Sequence, residues 1–429
     1  MSLLVHIRKK LNTGMLDVNF ENEEGILAIL GEEKSGKTEV LYCIAGLETP
    51  DEGRIVLNGR VLYDSLKKIN VPAEQRKVSC LFRGFSLFPS MTVEENIQIA
   101  LRSGLQREAK ENKKKNNQSR EEKPKVTAKD RKLAVLEKTS DLLKEYGLDG
   151  IGGCYPNELS ASQKLWASFA RALAAKPELL LMDEPFADLD PFLRADMLQK
   201  IRGKINQNQV GSIFNSSSAN SSCGLSEFFV KEAVFASRDS EEVYAMSSHI
   251  MVMNHFVSEP PKERVNFFSF PSTVSAALLS GCRNITRAVR LDDSHAYAPS
   301  WGALFYFEQK DLTDEKDNTE LQNAVDTAAN QKKGSHLLEK LPLHLSYLGI
   351  RETDFVLSIP KEDDANYFRF TVHICEIDET LSDWQIHFRN GTMSKDDLLW
   401  QIPKSQITKQ ELEQVHHLFV PMKKIMKLT

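Results

Sequence analysis

The chain of 429 residues has no long apolar run, and its six cysteines are widely scattered. A helix that crosses a bilayer needs roughly 18 consecutive apolar residues, so the sequence predicts no membrane span. The first residues, MSLLVHIRKK, place apolar before basic side chains, which is unlike a secretory signal. The cysteines contain no CxxC pair, so neither structural zinc nor a disulfide framework is expected. These absences favour a protein of the reducing cytosol.

An excess of positive charge is also missing, because 55 basic and 60 acidic side chains leave a net charge of −5. This balance disfavours a dedicated nucleic-acid-binding protein. The one basic stretch lies at residues 106–132, with eleven Lys or Arg and five Asp or Glu. Its composition predicts a solvated, mobile insertion. The alternative is a surface that contacts anionic lipid.

The patterning along the chain predicts two domains that meet near residue 284. Residues 1–284 alternate short apolar strands with helical periodicity, which is typical of an α/β fold. A helical subdomain is expected at about residues 88–176. Residues 285–429 contain period-two alternation, for example at 367–374, which predicts a smaller antiparallel β domain.

The strongest motif is a turn between a predicted strand, residues 25–30, and a predicted helix. Its two glycines allow the backbone to fold around an anion with amide groups pointing inward. Lys37 would reach the β- and γ-phosphates of a nucleotide, and Thr38 would offer a hydroxyl to Mg²⁺. The alternative is a lysine-bearing turn without a ligand. The residues that fit G-x-x-x-x-G-K-[ST] are Gly31, Glu32, Glu33, Lys34, Ser35, Gly36, Lys37 and Thr38.

A second motif is an apolar run, residues 179–182, that ends in Asp183 and Glu184. It predicts a strand whose carboxyl end presents two carboxylates, at the edge of a parallel sheet where ligands bind. Asp183 would hold Mg²⁺ through water, and Glu184 would act as general base on the attacking water. Taken alone, such a pair is more often a helix cap.

The third motif, Leu-Ser-Ala-Ser-Gln at residues 159–163, precedes a predicted helix. Ser160 and Gln163 have the spacing of a capping box, and that structural interpretation is sufficient by itself. Only the order of the three motifs along the chain gives this segment a further meaning.

That order resembles the ATP-binding-cassette (ABC) ATPases, a phosphate loop followed by Leu-Ser-x-x-Gln and then a strand with Asp-Glu-Pro. Residues 54–59 are similar to the family's early strand pair, residues 87–97 to the segment after its Q-loop, and residues 187–190 to its D-loop. Residues 279–288 and 348–351 resemble the C-terminal β domain of molybdate-importer ATPases.

The resemblance implies an α/β P-loop NTPase cassette, with a mixed, partly parallel sheet and a helical subdomain, followed by an antiparallel β domain of the TOBE/MOP type. ATP and Mg²⁺ would bind between the phosphate loop of one subunit and the signature of another, here Ser160 and Gln163. Lys37 and Glu184 would be catalytic, and Thr38 and Asp183 would hold the metal.

The same resemblance implies the energy-coupling ATPase of an importer for molybdate or a related oxyanion. The cassette would form a homodimer or pair with another cassette at the cytoplasmic face of the membrane. Its partners would be permease subunits and an extracytoplasmic substrate-binding protein, with no nucleic acid. The C-terminal domain is a candidate oxyanion sensor.

Several positions depart from the family pattern. Arg83 stands at the Q-loop glutamine and Arg238 at the H-loop histidine, and an arginine offers no acceptor atom. Ala161 and Ser162 replace the two glycines of the signature, and Ala187 replaces the D-loop serine. No aromatic residue that would stack on adenine is evident among residues 6–19, where Leu11 lies nearby. We therefore expect hydrolysis to be retained but slow.

Three alternatives remain open at this point. The first is a nucleotide-binding subunit with little or no hydrolysis that pairs with a competent cassette. The second is a cassette associated with nucleic acid, against which the net charge argues. The third is an importer cassette for another substrate, such as sulfate or a sugar, because the motifs do not determine what is transported.

Overall fold

The computed structural model describes residues 2–23, 25–84, 86–116, 128–210, 230, 232–291, 295–307, 345–359, 366–392 and 394–429. The chain divides into two compact units, Met1–Arg264 and Val265–Thr429. The division therefore comes earlier than the predicted boundary at residue 284.

The first unit contains a mixed sheet in which the described residues form twelve strands. Its strands are β1 (Leu3–Leu11), β2 (Gly14–Asn22), β3 (Gly25–Leu30), β4 (Glu52–Leu57), β5 (Arg60–Asp64), β6 (Ile69–Asn70), β7 (Val78–Leu81), β8 (Leu179–Asp183), β9 (Glu232–Ser237), β10 (His249–Asn254), β11 (Val257–Ser258) and β12 (Lys262–Glu263). Five neighbours, in the order β10, β3, β9, β8 and β7, run parallel. Every residue of β3, β8 and β9 is buried, as expected of strands covered on both faces.

The other half of this sheet is mainly antiparallel and pairs in the order β6, β5, β4, β1, β2. β4 and β5 form the hairpin that an Asn-Gly turn predicts. Asn58 and Gly59 both have positive φ, 52° and 74°, which is what a tight two-residue hairpin turn requires.

The helices of this unit are α1 (Lys37–Ala45), α2 (Val93–Asn116), α3 (Ala128–Glu145), α4 (Ala161–Ala174), α5 (Pro191–Val210) and α6 (Ser240–Met246). α2, α3 and α4 lie within residues 88–176, the range for which a helical subdomain is predicted. α2 and α3 extend into the basic stretch 106–132 from both sides, and residues 117–127 lie outside the described residues. Within the described part of the chain, no helix is both long enough and apolar enough to cross a membrane.

The second unit consists of two antiparallel sheets with short helices. The strand orders are β15-β14-β13-β16-β21 and β19-β18-β17-β20. Its elements are α7 (Arg264–Ser269), α8 (Val274–Leu279), β13 (Asn284–Arg290), β14 (His295–Ala298), β15 (Ala303–Tyr306), β16 (Leu345–Ile350), β17 (Tyr367–Glu379), β18 (Asp383–Asn390), β19 (Leu398–Pro403), α9 (Lys409–Leu412), β20 (His417–Pro421) and β21 (Met426–Leu428). Aromatic side chains such as Phe305, Phe370, Phe388 and Trp400 form its core. The predicted fold, a P-loop cassette followed by a C-terminal antiparallel β domain, is confirmed.

Hydrogen bonds within the second unit explain why it begins before residue 284. Arg351, directly after β16, donates to the carbonyl oxygen of Ser280 at 2.7 Å and also to that of Phe268. These bonds join α7 and the end of α8 to the sheet. β13 pairs with β16 in the register Asn284 to Ile350, so segments 279–288 and 348–351 are neighbours in space.

Candidate functional site

Strand order brings the candidate residues together. β3, β9, β8 and β7 are parallel neighbours, so their carboxyl ends meet at one edge of the sheet. The phosphate loop, residues 31–38, follows β3, and Arg238 follows β9. Glu184 follows β8, and Arg83 lies shortly after β7.

The backbone of the phosphate loop requires both of its glycines. Gly36 has φ of 102°, which favours glycine, and a Cβ there would lie 2.9 Å from Cδ1 of Leu16. A Cβ on Gly31 would lie 2.5 Å from the main-chain oxygen of Met253. α1 begins at Lys37, within the loop, without a side-chain cap. The amide groups of its first turn are therefore available to an anion.

Lys37 is directed into the loop rather than into solvent. Its side chain is buried, and Nζ donates to the carbonyl oxygens of Gly31 at 2.8 Å and Glu32 at 2.6 Å. Burial lowers the pKa of Lys37, although the nearby carboxylates of Glu184 and Asp183 oppose the shift. Phosphate oxygens carry charge and accept stronger hydrogen bonds than carbonyls do. The ammonium group is thus placed to exchange carbonyl oxygens for a phosphate.

The other loop residues differ in exposure. Glu32, Glu33 and Lys34 are exposed, whereas Ser35 is buried. The side chain of Glu33 is 71% exposed, so much of its negative charge lies in water, where it is screened. An acidic sequence at these positions is therefore compatible with a bound polyphosphate.

Thr38 and Asp183, the two residues predicted to hold the metal, are in direct contact. Thr38 Oγ1 donates to Asp183 Oδ2 at 2.8 Å, across the space between α1 and β8. Burial raises the pKa of Asp183, and the hydrogen bond from Thr38 opposes that shift. Among the described residues, no group of three or more His, Cys, Asp or Glu is arranged so that it could hold a metal ion. One hydroxyl and one carboxylate nevertheless suit Mg²⁺, which keeps several waters and binds substrate phosphates.

Glu184 does not cap a helix. Its φ of 44° is unusual for a residue with a side chain, and its amide donates to Ala236 O at 2.9 Å. The next helix, α5, begins later and is capped by Asp190, whose Oδ1 accepts from the Leu193 amide at 3.0 Å. The helix-cap alternative for the acidic pair is therefore excluded.

Two arginines contact the carboxylate of Glu184. Arg238 Nε lies 2.9 Å from Oε1, and Arg83 Nη1 lies 3.7 Å from Oε2. Arg238 also reaches the phosphate loop, because its Nη1 is 3.5 Å from Oε2 of Glu33. The two positions that depart from the Q-loop and H-loop pattern thus converge on the proposed general base.

Ser160 and Gln163 lie apart from this group, at the start of α4. The Gln163 amide donates to Ser160 Oγ at 3.3 Å, and the Ser160 amide donates to Gln163 Oε1 at 2.9 Å. The capping box is therefore present. Both residues are partly or fully exposed, so the structure leaves them accessible to another molecule.

Sequence reasoning did not single out Phe256, which packs beside the loop. Its amide donates to Ser35 O at 3.1 Å, and its ring lies 3.1 Å from an ideal Cβ on Gly36. No local motif marks this residue, because it reaches the loop only through the pairing of β10 with β3.

The chain is similar in sequence to proteins of known family. A family model described as ABC transporter matches residues 15–187. The spermidine/putrescine import ATP-binding protein PotA of Methylococcus capsulatus is 33% identical over 279 residues, which cover 63% of this chain and 58% of that protein. The sulfate/thiosulfate import ATP-binding protein CysA of Halalkalibacterium halodurans is 33% identical over 241 residues, which cover 56% of this chain and 54% of that protein.

A solved dimeric structure of the ATP-binding cassette MJ0796, in a post-hydrolysis state bound to ADP and Pi, has a TM-score of 0.43 and 19% identity. That match covers 62% of this chain and 99% of the solved chain. The chain spans a little more than half the length of the two import proteins. Residues 15–187 thus match the ABC transporter family model, and the chain resembles the ATP-binding proteins of importers.

Proposed function

We propose that this chain is the ATP-binding, energy-coupling subunit of an ABC importer and that it hydrolyses ATP. One observation carries the proposal: Lys37 and the Thr38–Asp183 pair lie at one loop, at the edge where parallel strands end. Lys37 would contact the phosphates. Thr38 and Asp183 would hold Mg²⁺, which supplies charge neutralisation at the phosphates.

The proposal of hydrolysis rests on Glu184. The carboxylate before it, Asp183, is hydrogen-bonded to Thr38, whereas that of Glu184 is not. As general base it would accept a proton from water. The test is phosphate release by the purified chain with Mg²⁺ and ATP, compared with Glu184→Gln. We expect the variant to be slower by about two orders of magnitude. Equal rates would remove the hydrolysis proposal, and an absence of ATP binding would remove the whole proposal.

The assembly is proposed from the family resemblance and the relatives' printed names. ATP would be shared between two cassettes, with Ser160 and Gln163 of one facing the phosphate loop of the other. The dimer would act on permease subunits at the cytoplasmic face of the membrane, together with an extracytoplasmic substrate-binding protein. The exposure of Ser160 supports this arrangement. ATP-dependent dimerisation of Glu184→Gln, lost in Ser160→Arg, would test it.

The transported substrate is proposed more broadly than molybdate. The relatives reported above are named for spermidine/putrescine and for sulfate/thiosulfate import, and neither name supports molybdate specifically. Sulfate and molybdate are both tetrahedral dianions, so an oxyanion remains the proposal. Calorimetric titration of the full chain with molybdate, tungstate, sulfate and spermidine tests sensing by the second unit. If only spermidine gives heat of binding, the proposed substrate becomes a polyamine instead of an oxyanion.

A binding subunit without turnover is the second candidate function. The ion pairs of Glu184 with Arg83 and Arg238 favour it, because a paired carboxylate is a poor proton acceptor. ATP binding with no difference in phosphate release between the natural chain and Glu184→Gln would select this candidate.

A further inference from the structure

The carboxylate of Glu184 has a cationic partner on each oxygen. Oε1 faces Nε of Arg238 at 2.9 Å, and Oε2 faces Nη1 of Arg83 at 3.7 Å. The first distance is that of a charge-assisted hydrogen bond, and the second is that of a looser ion pair. Arginine is permanently charged and offers no acceptor atom.

The three side chains differ in their access to water. The Glu184 side chain is 16% exposed, whereas those of Arg238 and Arg83 are 41% and 59% exposed. Such partly exposed pairs contribute little to folding stability. Their larger consequence falls on the carboxylate, whose orientation and free oxygen lone pairs they control. The backbone of Glu184 is itself fixed by the hydrogen bond to Ala236 O.

Hydrolysis requires the same oxygens. The water oxygen bonds to the γ-phosphorus, and the bond from that phosphorus to the bridging oxygen of ADP breaks. A proton of the water passes to a carboxylate oxygen of Glu184 and later leaves to solvent. An oxygen that accepts from a guanidinium must give up or share that bond before it accepts this proton.

We propose that Arg238 and Arg83 form an arginine clamp, which holds the Glu184 carboxylate away from the attacking water and slows hydrolysis in this cassette. The inference rests on the proposed function, because it concerns the same general base. The arginines are positioning residues, which act through Glu184. Arg238 is the main member, since its bond is shorter and it also contacts Glu33 of the phosphate loop.

The test measures steady-state phosphate release by the full chain with Mg²⁺ and ATP. The variants are Arg238→Gln, Arg83→Gln and both together, each with and without Glu184→Gln. We expect the double arginine variant to raise kcat by about tenfold or more, with KM for ATP changed less than about threefold, a size that one lost charge-assisted bond allows. Arg238→Gln should account for most of the gain, and Glu184→Gln should abolish it.

Two further variants separate the clamp from a structural effect. Arg238→Lys keeps a cation near the carboxylate and should give a smaller gain than Arg238→Gln. Arg54→Gln is the matched control, since Arg54 is a partly exposed arginine 3.7 Å from a buried carboxylate, Asp64, on the hairpin β4–β5. It should leave kcat unchanged. A rise that also appears in Arg54→Gln would overturn the clamp.

The outcomes distinguish the clamp from the proposed function. A silent natural chain with an active, Glu184-dependent double variant supports the clamp and removes hydrolysis by the natural chain. If the natural chain hydrolyses ATP and its arginine variants have equal or lower kcat, the clamp alone is overturned. If kcat falls and KM for ATP also rises in these variants, the arginines contact the phosphates of ATP instead. If phosphate release stays at the level of Glu184→Gln in every variant, both the clamp and the proposed hydrolysis are overturned. ATP binding is measured separately and is not affected by that result.

Discussion

The two sides of the candidate site are built differently. On the phosphate-loop side, Lys37, Thr38 and Asp183 are buried or half-buried and are hydrogen-bonded within the site. On the side of Glu184, the partners are arginines with substantial exposure. The first side is fixed by burial, and the second is held by ion pairs that water can reach.

This difference separates binding from turnover. Buried donors with few alternatives keep their geometry, so the loop is preorganised for an anion. The ion pairs of Glu184 involve arginines that water reaches, so they contribute less to the stability of the fold than the buried contacts of the loop do. Nucleotide binding should therefore respond strongly to changes on the loop side, and the hydrolysis rate should respond to changes around Glu184. The predictions below test that division.

The largest expected effect is on the loop side. Lys37→Met keeps an apolar stem of similar length but removes the ammonium group that faces Gly31 O. Because hydrogen bonds between charged groups are worth about 1.5–3 kcal/mol, ATP affinity should fall by about ten- to a hundredfold. Equilibrium binding of a fluorescent ATP analogue to the full chain measures this change.

Lys67→Met is the matched control for that variant. Lys67 is an exposed lysine in the turn between β5 and β6, in the antiparallel half of the sheet. Its replacement should leave ATP affinity unchanged. Equal affinity losses in both variants would show that general charge, rather than the position of Lys37, attracts the nucleotide.

The second effect concerns the metal. Thr38→Ala removes the hydroxyl that contacts Asp183 Oδ2 and that is expected to bind Mg²⁺. The increase in ATP affinity that Mg²⁺ produces should shrink by about tenfold, while affinity measured in EDTA should hardly change. Thr49→Ala, at an exposed threonine outside the loop, is the control. A Mg²⁺ effect that persists in Thr38→Ala would contradict the assignment.

The sequence predicted the loop side more completely than the side of Glu184. The loop residues are consecutive, so one motif names them all, and the buried strand β8 leads directly to Asp183. Arg83 and Arg238 were recognised as departures, but their contact with Glu184 depends on β7, β8 and β9 being neighbours in the sheet. No spacing along the chain encodes that order.

The domain boundary shows the same limit. Alternating hydrophobicity at residues 367–374 located the strand β17, since period two is a local property. The helices α7 and α8 look like a continuation of the α/β pattern. They belong to the second unit because Arg351, far along the chain, bonds to Phe268 and Ser280.

A smaller effect is expected where a cap and a functional position coincide. Ser160→Ala removes a capping oxygen from α4 and should destabilise the first unit by about 1 kcal/mol. Thr408→Ala is the matched variant, because Thr408 and Glu411 form the same capping box at α9 in the second unit. Unfolding by denaturant, followed separately in each unit, should show that the two variants lose a similar amount of unfolding free energy.

The two caps should differ only with nucleotide present. Ser160→Ala should weaken ATP-dependent dimerisation, and Thr408→Ala should not. Sedimentation velocity with ATP in the Glu184→Gln background measures this. Equal dimerisation in both variants would assign Ser160 to the cap alone.

The smallest expected effect distinguishes the two consecutive carboxylates at the end of β8, Asp183 and Glu184. Burial raises the pKa of Asp183, so the folded protein binds its proton more tightly than the unfolded chain does. Above the raised pKa this carboxylate is charged in both states, and its desolvation then destabilises the fold in full. As the pH falls through the raised pKa, the folded state takes up the proton first and the penalty disappears. Asp183→Asn, whose Oδ1 still accepts from Thr38, should therefore raise Tm by a few degrees at pH 7 and by less at lower pH.

Glu184→Gln should not give that gain, because the charge of its carboxylate is compensated by the ion pairs with Arg238 and Arg83. Thermal unfolding of both variants across pH 4–7 compares the two positions directly. A lower Tm for Asp183→Asn at pH 7 would mean that attraction to Lys37 outweighs the cost of burial. The loop side would then be held by charge pairing, as the other side is, and the distinction between the two sides would fail on stability.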